Sequence, residues 1–176
     1  MEVLTAQGFR VIPVPEQMAP DGQFPNVTKT PNPEVPESMD RAAELAQRTR
    51  ADLVLATDPD ADRLGAMAPD SAGHWRFITG NEIAALLTHF KLSKLAQQNR
   101  LPSSPIVLTT EVTTRLITAI ARHFKAQVVD SLLVGFKYMA DVLYRLESEG
   151  EFGDVRGTPD DFILATEESH GAMLTE

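Results

Sequence analysis

No cysteine occurs among the 176 residues. That excludes disulfide scaffolds, thiolate zinc sites and cysteine nucleophiles, and it fits a reducing, cytoplasmic setting. Basic residues are scarce: 16 Lys and Arg stand against 25 Asp and Glu, a formal net charge of −9. Proteins that grip a nucleic-acid backbone need a basic surface, so nucleic acid is not an expected partner. No apolar run approaches the ~20 residues that span a bilayer. The opening Met1-Glu2-Val3-Leu4 has no basic segment ahead of its apolar residues, so neither a membrane span nor a signal peptide is expected. What is present is a globular balance, 43% hydrophobic and 23% charged. An acidic protein of this kind can still bind phosphate esters, given placed donors or a metal.

Periodicity divides the chain into α/β elements. Glu2–Gln7 reads as the end of a helix closed by Gly8. Phe9–Val14 reads as a strand, with Pro13 marking an edge or an end. Seven of the 12 prolines lie between residues 13 and 36, a stiff loop of the length that usually serves a function or an interface. Ser38 or Asp40 could cap the next helix. Asp52–Thr57 has the pattern of a short buried strand, and Leu64–Ala68 with His74–Ile78 that of a hairpin. Thr79 with Glu82 forms a capping box for a helix reaching about Gln98. A polar break at Asn99–Pro105 places a domain boundary between residues 99 and 100. Beyond it come strand Ile106–Thr109, helix Glu111–Phe124, strand Ala126–Asp130, a helix over about Gly135–Glu147, a Gly- and acid-rich loop, and strand Phe162–Thr166. The expected fold is α/β: two tandem, incomplete three-layer domains, 1–99 and 100–176, with mixed sheets covered by helices.

Chemistry concentrates in the loop after DLVLAT. Asp58, Asp60 and Asp62 alternate along it, and in an extended loop their oxygens can converge on one cation. Hard oxygen donors suit Mg²⁺ or Ca²⁺ rather than Zn²⁺. Without a cation the three charges repel; Arg63 offsets part of that and could point at a phosphate. An EF-hand beginning at Asp58 fails, because its sixth and twelfth positions are Arg63 and Pro69. A solvated acidic turn is the bland alternative.

LATDPDADRLG resembles the metal loop of the phosphoglucomutase/phosphomannomutase (phosphohexomutase) superfamily, most closely its phosphoglucomutase and phosphopentomutase branches. Thr79-Gly80-Asn81-Glu82, Gly135-Phe136-Lys137 and Glu167-Glu168-Ser169-His170-Gly171 follow in the family's order. The loop from Pro20-Asp21-Gly22 through Pro31-Asn32-Pro33 is also similar. Such enzymes place four domains around one cleft and move a phosphoryl group between sugar positions through a phosphoserine. The resemblance implies Asp58, Asp60 and Asp62 as Mg²⁺ ligands and Arg63 as the arginine beside the transferring phosphoryl group. It implies Glu167 and Ser169 as contacts to sugar hydroxyls, and Gly135, Phe136 and Lys137 as the loop that distinguishes the sugar's two orientations. The implied substrate is a hexose or pentose phosphate.

There are departures. Val134 stands where relatives often have threonine, Glu111 where some have lysine, and His170 directly follows the serine instead of lying two positions on. None of the serines sits in a Ser-x-x-His-Asn-Pro-like context. The chain is therefore expected to be a middle slice, most of domain two and the front of domain three, lacking domains one and four and inactive alone. A non-catalytic Mg²⁺-binding module that needs a partner chain is the alternative. A phosphatase using Asp58 or Asp60 as nucleophile fits less well, since Asp62 and Leu64 break its pattern.

Overall fold

A computed structural model describes residues 1–175. The chain forms two compact units, Met1–Phe77 and a second beginning at Ile78.

The first unit opens with helix α1 (Glu2–Ala6), and Gly8 follows at φ 87, as its C-terminal position predicts. Phe9–Val14 is not a strand. Pro13 and Pro15 offer no N–H, and an extended segment without a ladder partner has nothing to hold it as a strand. The proline-rich loop contains short 3-10 turns at Pro15–Gln17 and Pro36–Met39. Helix α2 (Asp40–Thr49) follows with no side-chain cap; Asp40 is its first residue, where its charge favours the positive end of the helix dipole.

Strands β1 (Val54–Thr57), β2 (Leu64–Pro69) and β3 (Trp75–Ile78) make one sheet in that order, with β1 antiparallel to β2. Met39, Ala42 and Ala46 pack on Val54, Ala56, Met67, Trp75 and Phe77, so α2 covers one face of this sheet. β1 alternates buried and more exposed residues, the habit of an antiparallel strand with one covered face; it is not the wholly buried strand its apolar run suggested.

The second unit begins with helix α3 (Gly80–Gln97). Its capping box is made as expected: the Thr79 hydroxyl accepts from the Glu82 N–H at 3.3 Å, and the Glu82 carboxylate accepts from the Thr79 N–H at 2.9 Å. The helix packs with the second unit, so the compact division falls some twenty residues before the polar break at Asn99–Pro105.

Strands β4 (Ile106–Thr110), β5 (Gln127–Leu132), β8 (Phe162–Thr166) and β9 (Ala172–Leu174) form a mixed sheet ordered β5-β4-β8-β9. β4 runs parallel to both β5 and β8, whereas β9 is antiparallel to β8. Between β5 and β8 lie helix α5 (Phe136–Glu149) and a small hairpin, β6 (Glu151–Phe152) with β7 (Val155–Arg156). The sequence predicts neither that hairpin nor β9; the hairpin falls within the Gly- and acid-rich loop, and β9 (Ala172–Leu174) beyond the last predicted strand.

Helix α4 (Leu116–His123) starts five residues later than Glu111. The Glu111 N–H is taken by the Leu132 carbonyl at 2.8 Å, and the Thr114 N–H by Asn81 Oδ1 at 2.8 Å. Residues 111–115 are thus committed to a turn that leaves the sheet edge.

Both faces of this sheet are covered. Ile106, Leu108, Val129, Phe162 and Ala165 face Met139, Val142 and Leu146 of α5. Val107, Ile163 and Leu164 face Ala84, Leu92 and Leu95 of α3 with Ile117 and Ala121 of α4. Two neighbours, Ile163 and Leu164, share a side because the register slips there: Ile106 pairs with Phe162 but Val107 with Leu164. One extra residue on β8 restores the alternation beyond it. Among the described residues no helix is long and apolar enough to cross a membrane.

Candidate functional sites

The first site lies in the loop between β1 and β2. One carboxylate oxygen from each of Asp58, Asp60 and Asp62 lies within 4.8 Å of the others. Asp58 is mostly covered, while Asp60 and Asp62 are exposed. Ala61 at φ 60 turns the chain between them, and its N–H bonds back to the Asp58 carbonyl at 3.1 Å. This tight turn brings alternate side chains to one side.

Arg63 knits the loop together. Its backbone N–H donates to Asp58 Oδ1 at 3.1 Å, and its guanidinium lies 3.8 Å from both Asp58 and Asp62. The same guanidinium donates to Glu34 at 3.2 Å. Glu34 in turn accepts from Asn32 at 3.0 Å and donates its own N–H back to Asn32. Asn32 and Glu34 tie the proline-rich loop to the acidic loop. No local pattern signals this contact, because Arg63 and Glu34 lie 29 residues apart.

The donor set fits a hard divalent cation. Three carboxylates converge, with no nitrogen or sulfur donor in the group. Such a cation would remove the mutual repulsion that Arg63 offsets only in part.

The second site surrounds the end of β8. Glu167, only 5% exposed, accepts from the Gly135 N–H at 2.6 Å, and its other oxygen takes a long 3.5 Å contact from the Ser169 hydroxyl. Gly135 sits at φ 124 ahead of α5, a conformation that L side chains rarely adopt, and this aims its N–H at the carboxylate. The Phe136 ring lies over Gly171, close enough that a methyl group there would meet it at 2.9 Å. The Glu167 N–H closes the loop onto the Gly171 carbonyl at 3.0 Å. Lys137 turns its ammonium over the Tyr138 ring, 4.9 Å from the centroid.

The structure therefore brings Glu167, Ser169, Gly135 and Phe136 together, with Lys137 beside them. Glu167 is buried within this loop. His170 is also buried, and it holds a left-handed backbone at φ 70. Glu168 was not singled out from the sequence; its carboxylate accepts from Thr110 at 3.2 Å and Thr113 at 3.3 Å.

Residues 1–72 match the family model described as phosphoglucomutase/phosphomannomutase, alpha/beta/alpha domain II. That segment contains the aspartate loop. A phosphoglucomutase of Staphylococcus aureus (strain USA300) is 33% identical over 173 residues, covering 98% of this chain and 28% of the relative. The phosphoglucomutase of strain N315 is 34% identical over 160 residues, covering 91% of this chain and 26% of the relative. The solved structure of a phosphoglucomutase/phosphomannomutase family protein from Burkholderia thailandensis superposes with a TM-score of 0.59 at 22% identity. It covers 88% of this chain and 28% of that one, a likeness of fold. The chain thus spans little more than a quarter of the length of the curated relatives it matches.

Proposed function

Because this chain belongs to the phosphoglucomutase/phosphomannomutase superfamily, we propose that it supplies the metal loop and the sugar loop of a phosphohexomutase. The parent reaction is transfer of a phosphoryl group between the 1- and 6-positions of a hexose phosphate, or the 1- and 5-positions of a pentose phosphate. The observation that carries this reading is the convergence of Asp58, Asp60 and Asp62 within the segment that matches the family.

In this reading Asp58, Asp60 and Asp62 hold Mg²⁺. The bound ion supplies charge neutralisation on a transferring phosphoryl group. Arg63 holds Asp58 and Asp62 and presents its guanidinium beside them. At the other site Glu167 accepts hydrogen bonds from sugar hydroxyls. Ser169 can both donate and accept, and the pair suits adjacent hydroxyls on a ring. Gly135 and Phe136 fix the direction of the Glu167 carboxylate, and Lys137 adds a positive charge near the sugar loop.

The 176 residues hold no serine in the context of a phosphoryl carrier, so the chain by itself is proposed not to turn over. A coupled assay of the pure chain with glucose 1-phosphate and Mg²⁺ tests this. Absence of glucose 6-phosphate is expected, and sustained turnover would overturn it. The second reading, a non-catalytic Mg²⁺-binding module completed by a partner chain, rests on the same absence. Restoration of activity by a separately made chain bearing such a serine would favour it.

A further inference from the structure

Two neighbouring carboxylates stand in the sugar loop, and the fold gives them different surroundings. β8 ends at Thr166, and the chain turns beyond it. Glu167 lies against Gly135, just ahead of α5. Glu168 points toward the turn that follows β4. There it meets Thr110 and Thr113, whose hydroxyls also bond each other at 2.6 Å. The backbone of Glu168 rests on the first residue of α3. A Cβ built on Gly80 would overlap the Glu168 carbonyl oxygen and lie 2.8 Å from both the Glu168 carbonyl carbon and the His170 nitrogen. Asn81, the next residue, holds the same turn by accepting from the Thr114 N–H at 2.8 Å. His170 keeps a positive φ without being glycine, a conformation that persists only where the surroundings over-determine it.

We infer that Glu168 is a positioning residue that seats the sugar loop on the Thr110–Thr113 turn and the Gly80-Asn81 end of α3, so that Glu167 and Ser169 are presented already in place. This rests on the reading of Glu167 and Ser169 as sugar contacts. The seat also gives Thr79-Gly80-Asn81-Glu82 a role: Thr79 and Glu82 start the helix, Gly80 leaves room for the loop backbone, and Asn81 fixes the neighbouring turn. Glu168 itself does not touch the sugar. Its carboxylate is committed to the Thr110–Thr113 hydroxyl pair, which has two protons to share among its mutual contact and the two contacts to Glu168.

The test uses the 176-residue chain and three variants, Glu168→Leu, Glu168→Gln and Thr113→Val. Amide hydrogen exchange at Gly135 and residues 167–171 is measured without ligand, and the affinity for glucose 6-phosphate by NMR titration. A Gln oxygen can accept from the same hydroxyl pair, so Glu168→Gln should keep the loop protected and bind within about twofold of wild type. Glu168→Leu removes the charged acceptor of that pair. Its loop should exchange at least about tenfold faster and its affinity should fall in step. Thr113→Val should move the loop in the same direction with no change inside the loop itself. Unchanged loop exchange in both Glu168→Leu and Thr113→Val would overturn the seat. Equal loss in Glu168→Gln and Glu168→Leu would overturn it too, showing that the charge acts directly. A protected wild-type loop whose amides do not shift with glucose 6-phosphate would instead overturn the sugar reading, while leaving the exchange comparison to judge the seat.

Discussion

Gly80→Ala is the substitution for which two physical arguments give opposite signs. Alanine is the better helix former, by about 1 kcal/mol in a helix interior. Gly80 is the first residue of α3, so propensity alone favours the change. Packing opposes it. The added methyl would overlap the Glu168 carbonyl and sit 2.8 Å from two further backbone atoms. Ordinary carbon contacts lie at about 3.5–4.0 Å, so backbone must move by more than about an ångström, and no flexible side-chain end is there to yield. Overpacking of this kind costs about 1–3 kcal/mol and outweighs the propensity gain.

The expected net loss is on the order of 1–2 kcal/mol. For a domain of roughly 100 residues that is a fall in Tm of about 5–10 °C. Urea and thermal denaturation, followed through amide signals of β4 and β8, would read it in the second unit. Gly22→Ala is the control, since nothing lies within 4 Å of a Cβ there, and it should stay within about 0.5 kcal/mol of wild type. A Gly80→Ala chain as stable as wild type, with unshifted amides at 168–171, would refute the close approach.

Three further outcomes are expected. Calorimetric titration with Mg²⁺ should show weak binding, about millimolar, since the chain offers only three carboxylates; an Asp60→Asn chain giving the same heat trace would count against the site. The Thr166 hydroxyl is buried with no hydrogen-bond partner among the described residues. Thr166→Val should therefore raise unfolding stability by about 1 kcal/mol, and an equal loss would show that the hydroxyl is engaged. In the β2–β3 turn the His74 N–H above all, then the Ala72 N–H and the His74 side chain, hold the Asp70 carboxyl below the ordinary aspartate value against the opposing effect of burial. Its stabilisation is present above that value and is lost as pH falls through the lowered one. A carboxyl titration with its midpoint at or above the ordinary value would contradict this.

Local signals carried much of the fold. The Thr79–Glu82 capping box and the apolar runs of β4 and β8 depend on residues within one turn or one strand of each other, and they fall where the sequence predicts. The errors have a common cause. Phe9–Val14 has the composition of a strand, but a strand exists only with a partner to bond. The start of α4 was misplaced because Leu132 and Asn81, distant in sequence, take the N–H groups of Glu111 and Thr114. β9 is three residues long and owes its identity to the neighbouring edge of β8.

The same division runs through the candidate sites. The alternation of Asp58, Asp60 and Asp62 is a local pattern, and the residue types alone made it a candidate for a hard cation. The sequence alone also excluded thiolate chemistry and fixed the order of the motifs. It could not say that Glu34 holds Arg63, or that Glu167 and Glu168 serve opposite sides of one loop. The first depends on two loops 29 residues apart in sequence meeting each other, the second on where the turn after β8 comes to rest. That turn in its place needs a helix whose first residue is small enough for the loop to rest on. Composition and spacing decide which groups a chain carries; sheet register and close packing decide what each group faces.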